Sequence, residues 1–355
     1  MARQWRCAVV GTNTVGKTHV QVIPRLENAT LVAVCDQTPR KAHAALERAG
    51  RQGVTVYEDL MRLLDVEQID VLHVATPSGN HEEHCAAAIE RGIHVICEKP
   101  LEIQLDRIDR LIEAADKRSV RIATIYQNRW NEANRAIKQA ADEGRFGKLA
   151  WAGCFTPWYR PDKYYDESAW RGTWKLDGGG AIMNQSIHNI DLLQWIAGPV
   201  KNVSAYAGSR IHPRIETEDA ASCALEFENG AFGTIVGTTA MFPGMPARFE
   251  IGGENGSAVQ ENGLKLFKFR DERPEDQELA RRLGPMPPPS AGASVAASAA
   301  AMGMELHARN IAAILAAWEQ GREAETSGLE SRKAVAIVLA IYESVRTGGS
   351  PVPVG

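Results

Sequence analysis

The sequence predicts two domains: a doubly wound α/β domain on a parallel sheet, then an α+β domain on a large, mainly antiparallel open sheet. Three observations carry this. The chain has 355 residues, about twice the usual length of one domain. Its first third alternates short apolar runs with helical stretches, and its later part places Asn-Gly turns between strand-like runs.

The early runs are Cys7–Val10, Leu31–Cys35, Val54–Tyr57, Val71–Ala75, His94–Cys97 and Ile122–Ile125. Near-continuous apolar runs of this length suit parallel strands buried on both faces. Between them Arg40–Ala49, His81–Arg91 and Leu105–Arg118 carry helical periodicity, and repeated β-α units give right-handed crossovers. These elements define a first domain over 1–125 and leave 126–355 to a second. In the second, Ala220–Thr239 reads as a hairpin closed at Asn229-Gly230, and Asn255-Gly256 and Asn262-Gly263 repeat the signal. Antiparallel strands are therefore expected through 148–270. Residues 271–302, rich in Pro, Ala and Ser, read as a mobile surface excursion. Helices are expected at Glu305–Gln320 and Leu329–Arg346, the last a candidate to pack back on the first domain.

Composition narrows the function class. Hydrophobic residues make up 44% and charged residues 24%, with a net charge of -4; no basic field is available for nucleic acid or an anionic membrane. The apolar runs are too short to span a bilayer. Cys7, Cys35, Cys85, Cys97, Cys154 and Cys223 lack CxxC spacing, which favours buried thiols in a cytoplasmic protein over bridges or a metal site.

The segment CAVVGTNTVGKTH places Gly11, Thr12, Asn13, Thr14, Val15 and Gly16 on a strand-to-helix turn, with Asn13 at the middle glycine of a G-x-G-x-x-G pattern. Glycines there allow a tight turn and close approach of a pyrophosphate to a helix N-terminus. Asn tolerates left-handed backbone angles, so the departure is compatible with the turn. Asp36 ends the second strand, twenty residues after Gly16, where a carboxylate accepts from an adenosine ribose and repels a 2′-phosphate. NAD is therefore expected over NADP, although Arg40 lies nearby. ATPSGNH (75–81) and CEKP (97–100) follow two further strands, so Thr76, Pro77, His81, Glu98 and Lys99 should lie along the ligand-binding strand ends.

With GTNTVG, ATPSGNH, CEKPL and GGGAIMNQSIHNIDLLQW (178–195) in this order, nearly the whole chain resembles the Gfo/Idh/MocA family of glucose–fructose oxidoreductase- and inositol dehydrogenase-like enzymes. The resemblance implies a Rossmann domain followed by a substrate-binding and oligomerising domain, and hydride transfer between a sugar or polyol ring carbon and nicotinamide C4. It implies Lys99 and His188 as the acid/base pair. Asn184 stands where the family commonly has Asp, and an amide orients but relays no proton. Independently, Asn184, His188 and Asp191 share one helical face by spacing, and a histidine suits proton exchange near neutrality. The alternative for His188 and Asp191 is a satisfied structural pair. RPDKYYDESAWRGTWKLDGG (160–179), with Asn184, resembles the family branch containing UDP-N-acetylglucosaminuronate 3-dehydrogenases. Asn128 is a further cofactor candidate; Arg129, Tyr164, Trp170, Arg171 and Asn184 are substrate candidates, with Arg160 beside them. Trp170 and Trp174 equally fit a core, and the arginines equally fit surface ion pairs.

Two other readings stand beside the dehydrogenase: a glycosidase using NAD transiently through C3 oxidation and elimination, and a non-enzymatic dinucleotide sensor. Retention of Lys99 and His188 counts against the sensor. A homodimer or homotetramer through the second sheet is expected, because an uncovered sheet face would expose a large apolar patch.

Overall fold

A computed structural model describes residues 3–285 and 295–355. The chain divides into two compact units, the first taking residues up to Gln127 and the later stretch that ends at Arg332, the second starting at Asn128 and including Lys333–Gly355.

In the first unit, β1 (Trp5–Val10), β2 (Ala29–Cys35), β3 (Thr55–Tyr57), β4 (Val71–Val74), β5 (His94–Cys97) and β6 (Ile122–Thr124) form one parallel sheet in the order β3-β2-β1-β4-β5-β6. This is the doubly wound order, whose ligand crevice lies at the carboxyl ends of the strands. The crossovers carry α1 (Thr14–Val22), α2 (Pro39–Arg48), α3 (Leu60–Val66), α4 (His81–Glu90) and α5 (Leu105–Arg118). Local chemistry sets the helix ends: the Asp59 carboxylate accepts from the Arg62 N–H at 2.7 Å to cap α3, and α5 stops at Ser119 with φ 55°. All six cysteines are buried thiols.

The second unit contains α6 (Glu132–Asp142), α7 (Asp162–Asp166), a π-helical turn over Ala181–Ser186 and α8 (Ile187–Ala197). Its sheet joins β7 (Leu149–Pro157), β8 (Val200–Gly208), β9 (Ala220–Phe227), β10 (Phe232–Thr238), β11 (Arg248–Gly253), β12 (Gly256–Gln260), β13 (Leu264–Phe269) and β14 (Val352–Pro353). The order is β13-β12-β11-β7-β10-β9-β8-β14. β7 and β10 pair in parallel and the other neighbours are antiparallel, so the sheet is mixed at one seam. The β9–β10 hairpin closes at Gly230, φ 84°, as the Asn-Gly signal requires.

The segment read as an excursion is partly regular. α9 (Pro274–Arg282) starts where Asp276 accepts from the Arg273 N–H at 2.8 Å, and Arg145 forks onto the same carboxylate. The next helix, α10 (Val295–Glu319), begins ten residues before the expected Glu305, in agreement with the high helix propensity of its alanines. Residues 286–294 of that segment lie outside the described residues. α10 belongs to the first unit, and α11 (Gly328–Arg346) passes into the second at Lys333. Ile311, Ile314, Leu315 and Trp318 lie at helical spacing and are buried with Trp5, Val9 and Val34 in the first core, each worth about 1.5–3 kcal/mol of burial. No helix among the described residues is long and apolar enough to cross a membrane.

Candidate active site

The turn after β1 is shaped by what cannot fit there. Gly11 has φ +82°, and a Cβ on it would stand 2.5 Å from the Ala75 carbonyl oxygen; one on Gly16 would stand 1.8 Å from the Gly11 oxygen. Backbone therefore lies where side chains ordinarily would. That leaves room for a phosphate group at the α1 N-terminus, opened by Thr14, Val15 and Gly16. Asn13 is extended (φ -83°), so this position needs no glycine and makes no use of the left-handed tolerance of Asn. Asp36 Oδ2 accepts from Thr12 N–H at 2.9 Å and from its hydroxyl at 2.8 Å, while Oδ1 accepts from Thr38 N–H at 2.9 Å. The carboxylate is fixed at the β2 end, half-buried, and the cradle fits a ribose-bearing dinucleotide.

The loops after β4 and β5 are joined by His81, whose Nδ1 lies 2.8 Å from the Pro100 oxygen and whose Nε2 lies 3.0 Å from the Thr76 oxygen. Thr76 Oγ1 is 2.9 Å from His84 Nδ1, and Pro77 precedes the turn into α4. His81 thus holds backbone rather than ligand, and burial keeps its pKa below the ordinary value. From Val95 to Ile103 every residue is buried except Lys99, which is half-buried beside the buried Glu98.

In the second unit, residues 181–194 are buried except Asn184 and His188, which are half-buried. A π turn over Ala181–Ser186 precedes α8, a device frequent at functional sites. Glu218 holds its entry: the carboxylate accepts from Gly180 N–H at 3.1 Å, Ile182 N–H at 2.8 Å and the Tyr342 hydroxyl at 3.0 Å. Burial pushes Glu218 up to about 7 against those donors.

Asn184 belongs to a directed chain. Arg160 donates to Gln185 Oε1 from Nε and Nη2 at 3.1 and 2.8 Å, Gln185 Nε2 donates to Asn184 Oδ1 at 2.8 Å, and Asn184 Nδ2 donates to Asp177 Oδ1. Asp177, 2% exposed, accepts from Gly172 N–H on its other oxygen at 2.8 Å. The acid that position 184 lacks is thus present one contact away. Gln185 also donates to the Tyr164 hydroxyl at 2.9 Å, and the Arg171 and Arg160 guanidinium carbons lie 4.2 and 5.2 Å from the Tyr164 ring centre. Trp170 lies 5.9 Å from the Arg171 guanidinium carbon. Two guanidinium groups thus lie over the Tyr164 ring, beside the buried Gln185 amide and the half-buried Asn184 amide.

Arg129 and Asp191 are brought to each other instead of to a ligand. Both are buried, with Arg129 donating from Nε at 2.7 Å and Nη2 at 2.6 Å to the two Asp191 oxygens. Arg129, read as a substrate anchor, is 0% exposed, and its fork meets the Asp191 carboxylate. Asn128, half-buried, accepts from Asn134 Nδ2 on its carbonyl at 2.8 Å. Sequence reading missed Asp177, Gln185 and Glu218; the Gly-rich run beside Asp177 was the available signal. Among the described residues no cluster of His, Cys, Asp and Glu is arranged to hold a metal.

Comparison with known proteins accords with this geometry. The family model described as "Oxidoreductase family, NAD-binding Rossmann fold" matches residues 5–126, and the "GFO/IDH/MocA C-terminal domain" matches 134–259. The crystal structure of the WlbA dehydrogenase from Bordetella pertussis, in complex with NADH and UDP-GlcNAcA, is 31% identical over 99% of this chain and 98% of that chain, with a TM-score of 0.89. D-apiose dehydrogenase of Paraburkholderia graminis is 25% identical over 98% of this chain and 89% of that protein. Inositol 2-dehydrogenase of Rhizobium meliloti is 25% identical, covering 96% of each. The chain therefore belongs to the Gfo/Idh/MocA family of NAD-binding oxidoreductases and is a dehydrogenase of the sugar and polyol type.

Proposed function

We propose that this dehydrogenase oxidises a ring hydroxyl of a nucleotide-linked sugar acid. The observation that carries the reading is the paired Arg160 and Arg171 guanidinium groups around Tyr164, tied through Gln185 to Asn184. A neutral polyol has no use for two cations, whereas a uronate or diphosphate binds them through charge-assisted bonds. The WlbA structure bound to UDP-GlcNAcA, at 31% identity, supports the same class.

NAD, when bound, supplies the hydride acceptor; Gly11, Thr12, Asn13, Thr14, Val15, Gly16 and Asp36 hold it, with Thr76, Pro77, Glu98 and Asn128 as further contacts. Lys99 and His188 are the residues read as taking the hydroxyl proton and steadying the alkoxide. Asn184, held by Asp177 and Gln185, orients the sugar without exchanging a proton. The registers place the exposed Trp151, Tyr206, Phe232 and Leu266 on one sheet face, which supports a homo-oligomer covering it; light scattering of the purified chain reads its mass.

The test is NADH formation from NAD with UDP-GlcNAcA, UDP-GlcNAc, free uronic acids and myo-inositol, using wild type and Lys99→Ala. The expected result is turnover with the nucleotide-linked acid, lost in Lys99→Ala while NAD binding is kept. Turnover confined to myo-inositol overturns the substrate class. Glycoside cleavage without net NADH replaces the reading with the elimination chemistry.

A further inference from the structure

Behind the end of β5 in the first unit, four ionisable side chains are packed out of reach of water. His19 of α1, His73 of β4, Glu98 after β5 and His307 of α10 are exposed by 0%, 0%, 4% and 7%. His19 Nε2 lies 2.9 Å from Glu98 Oε1, and His19 Nδ1 lies 3.0 Å from His73 Nδ1. His307 Nε2 lies 3.3 Å from the same Glu98 oxygen, and its Nδ1 lies 2.8 Å from the Gly303 carbonyl oxygen. Lys99 points its backbone N–H at Glu98 Oε2, 3.3 Å away.

These contacts locate the protons. A carbonyl oxygen only accepts, so His307 Nδ1 carries hydrogen. His19, His307 and the Lys99 N–H all converge on Glu98, and several donors on one carboxyl favour its ionised form. His307 Nε2 stands within ion-pair distance of that carboxylate, outside hydrogen-bond geometry, and the adjacent negative charge favours a proton there as well. A ring with both nitrogens protonated is an imidazolium. On the other side, His19 Nε2 lies against Glu98 and its Nδ1 against His73 Nδ1, so one of those two rings donates to the other. Carbonyl oxygens also face both nitrogens of His81, but a carbonyl lacks the full negative charge that stabilises a buried cation.

We propose that His307 is a buried imidazolium that neutralises Glu98 and thereby sets the proton affinity of the neighbouring Lys99 amine. The consequence for catalysis rests on the role given to Lys99 under Proposed function; the charge state of His307 does not. The groups facing His307 are Glu98 and Lys99 from the β5 end and His19 from α1, with His73 of β4 behind His19. Burial pulls His307 down, the bond to Glu98 and its charge pull it up, Lys99 opposes, and the balance is upward. Coupling between two sites is mutual, so the imidazolium lowers the proton affinity of Lys99 as Lys99 lowers that of His307. Without the imidazolium charge, Lys99 stands next to an uncompensated carboxylate, which favours the ammonium. His307 is a positioning residue: it acts on the reaction through Glu98 and Lys99.

The test is nitrogen NMR of the full chain labelled selectively at histidine, followed across pH and assigned by difference with His307→Gln, or with His307→Asn should the glutamine variant not fold. Both His307 nitrogens are expected to be protonated at neutral pH and to titrate above the ordinary histidine value; a neutral ring there overturns the proposal. In parallel, the acid limb of the wild-type kcat/KM profile, read as deprotonation of Lys99, should move up by about one pH unit in His307→Gln. A purely structural role lowers kcat at every pH and leaves the limb in place, and that result also overturns it. The NMR measurement uses no substrate, so a wrong substrate class shows as absent NADH in wild type and is told apart from a neutral His307.

Discussion

Each compact unit buries a carboxylate against a histidine, and the two arrangements differ in what else holds the charge. In the second unit Asp219, 0% exposed, accepts from the backbone N–H groups of Arg210, Ile211 and His212 at 2.8, 2.8 and 2.9 Å, with His212 Nδ1 at 3.0 Å. Burial raises its pKa, the backbone donors outweigh it, and the net shift is downward. In the first unit Glu98 is also lowered against burial, but by His19 and His307. Backbone amides do not titrate and imidazoles do. Asp219 is therefore a fixed anchor for the 210–219 turn, whereas the surroundings of Glu98, and with them Lys99, follow pH.

The extreme of a fixed pair is Arg129–Asp191, a guanidinium forked onto a fully buried carboxylate. Arg129→Ala should cost about 3–5 kcal/mol by leaving a buried carboxylate uncompensated, and Arg129→Met with Asp191→Leu should recover most of it. Denaturant unfolding reads both; a loss below about 1 kcal/mol in the single variant would show that water reaches Asp191.

The comparison itself is sharpened by Asp219→Asn against Glu98→Gln. The first removes a charged acceptor from several fixed donors and should lower stability by about 2 kcal/mol, with the pH limb of kcat/KM unmoved. The second should cost less stability and displace that limb. Equal effects on both readouts would dissolve the distinction.

Acid stability should fall from near pH 6.5 downward. Burial lowers His73, His81 and His84, and takes His94 from 6.5 to about 4. The unfolded chain accepts protons there that the folded chain refuses, so stability present above 6.5 is lost as pH falls. His307 has the opposite sign: its raised pKa gives stability that is complete below 6.5 and lost as pH rises through the folded value. Melting temperatures across pH check this, and His94→Gln should flatten the acid limb.

The smallest effect is expected from Asn184→Asp. It sets a second carboxylate against Asp177, so one of the two keeps its proton to higher pH. Stability should change by under about 1 kcal/mol, while KM for an acidic sugar rises and the acid limb of kcat/KM moves up. An unchanged profile would mean that Asp177 turns away from position 184.

The cofactor half was legible because its chemistry is local. Gly11, Gly16 and Asp36 sit at strand ends, where a backbone turn and a twenty-residue spacing announce themselves. The strands carried their burial in their composition, and Lys99 followed from its place after β5. In the second unit other groups of the candidate site meet over longer separations: Arg160 with Gln185, and Glu218 with Gly180 and Tyr342. Such contacts leave no period and no spacing in the chain.

The sequence by itself determined the two-part α/β architecture, the Asn-Gly hairpins, the dinucleotide cradle and the helix bearing Asn184 and His188, because each depends on neighbours within a few residues or on a repeating pattern. Tertiary structure alone decided that Arg129 meets Asp191, that α10 joins the first unit, and that His307 meets Glu98. Those outcomes depend on which side chains are excluded from water together. Burial of a charge is settled by the partner it finds there, and that partner is set by how the chain packs.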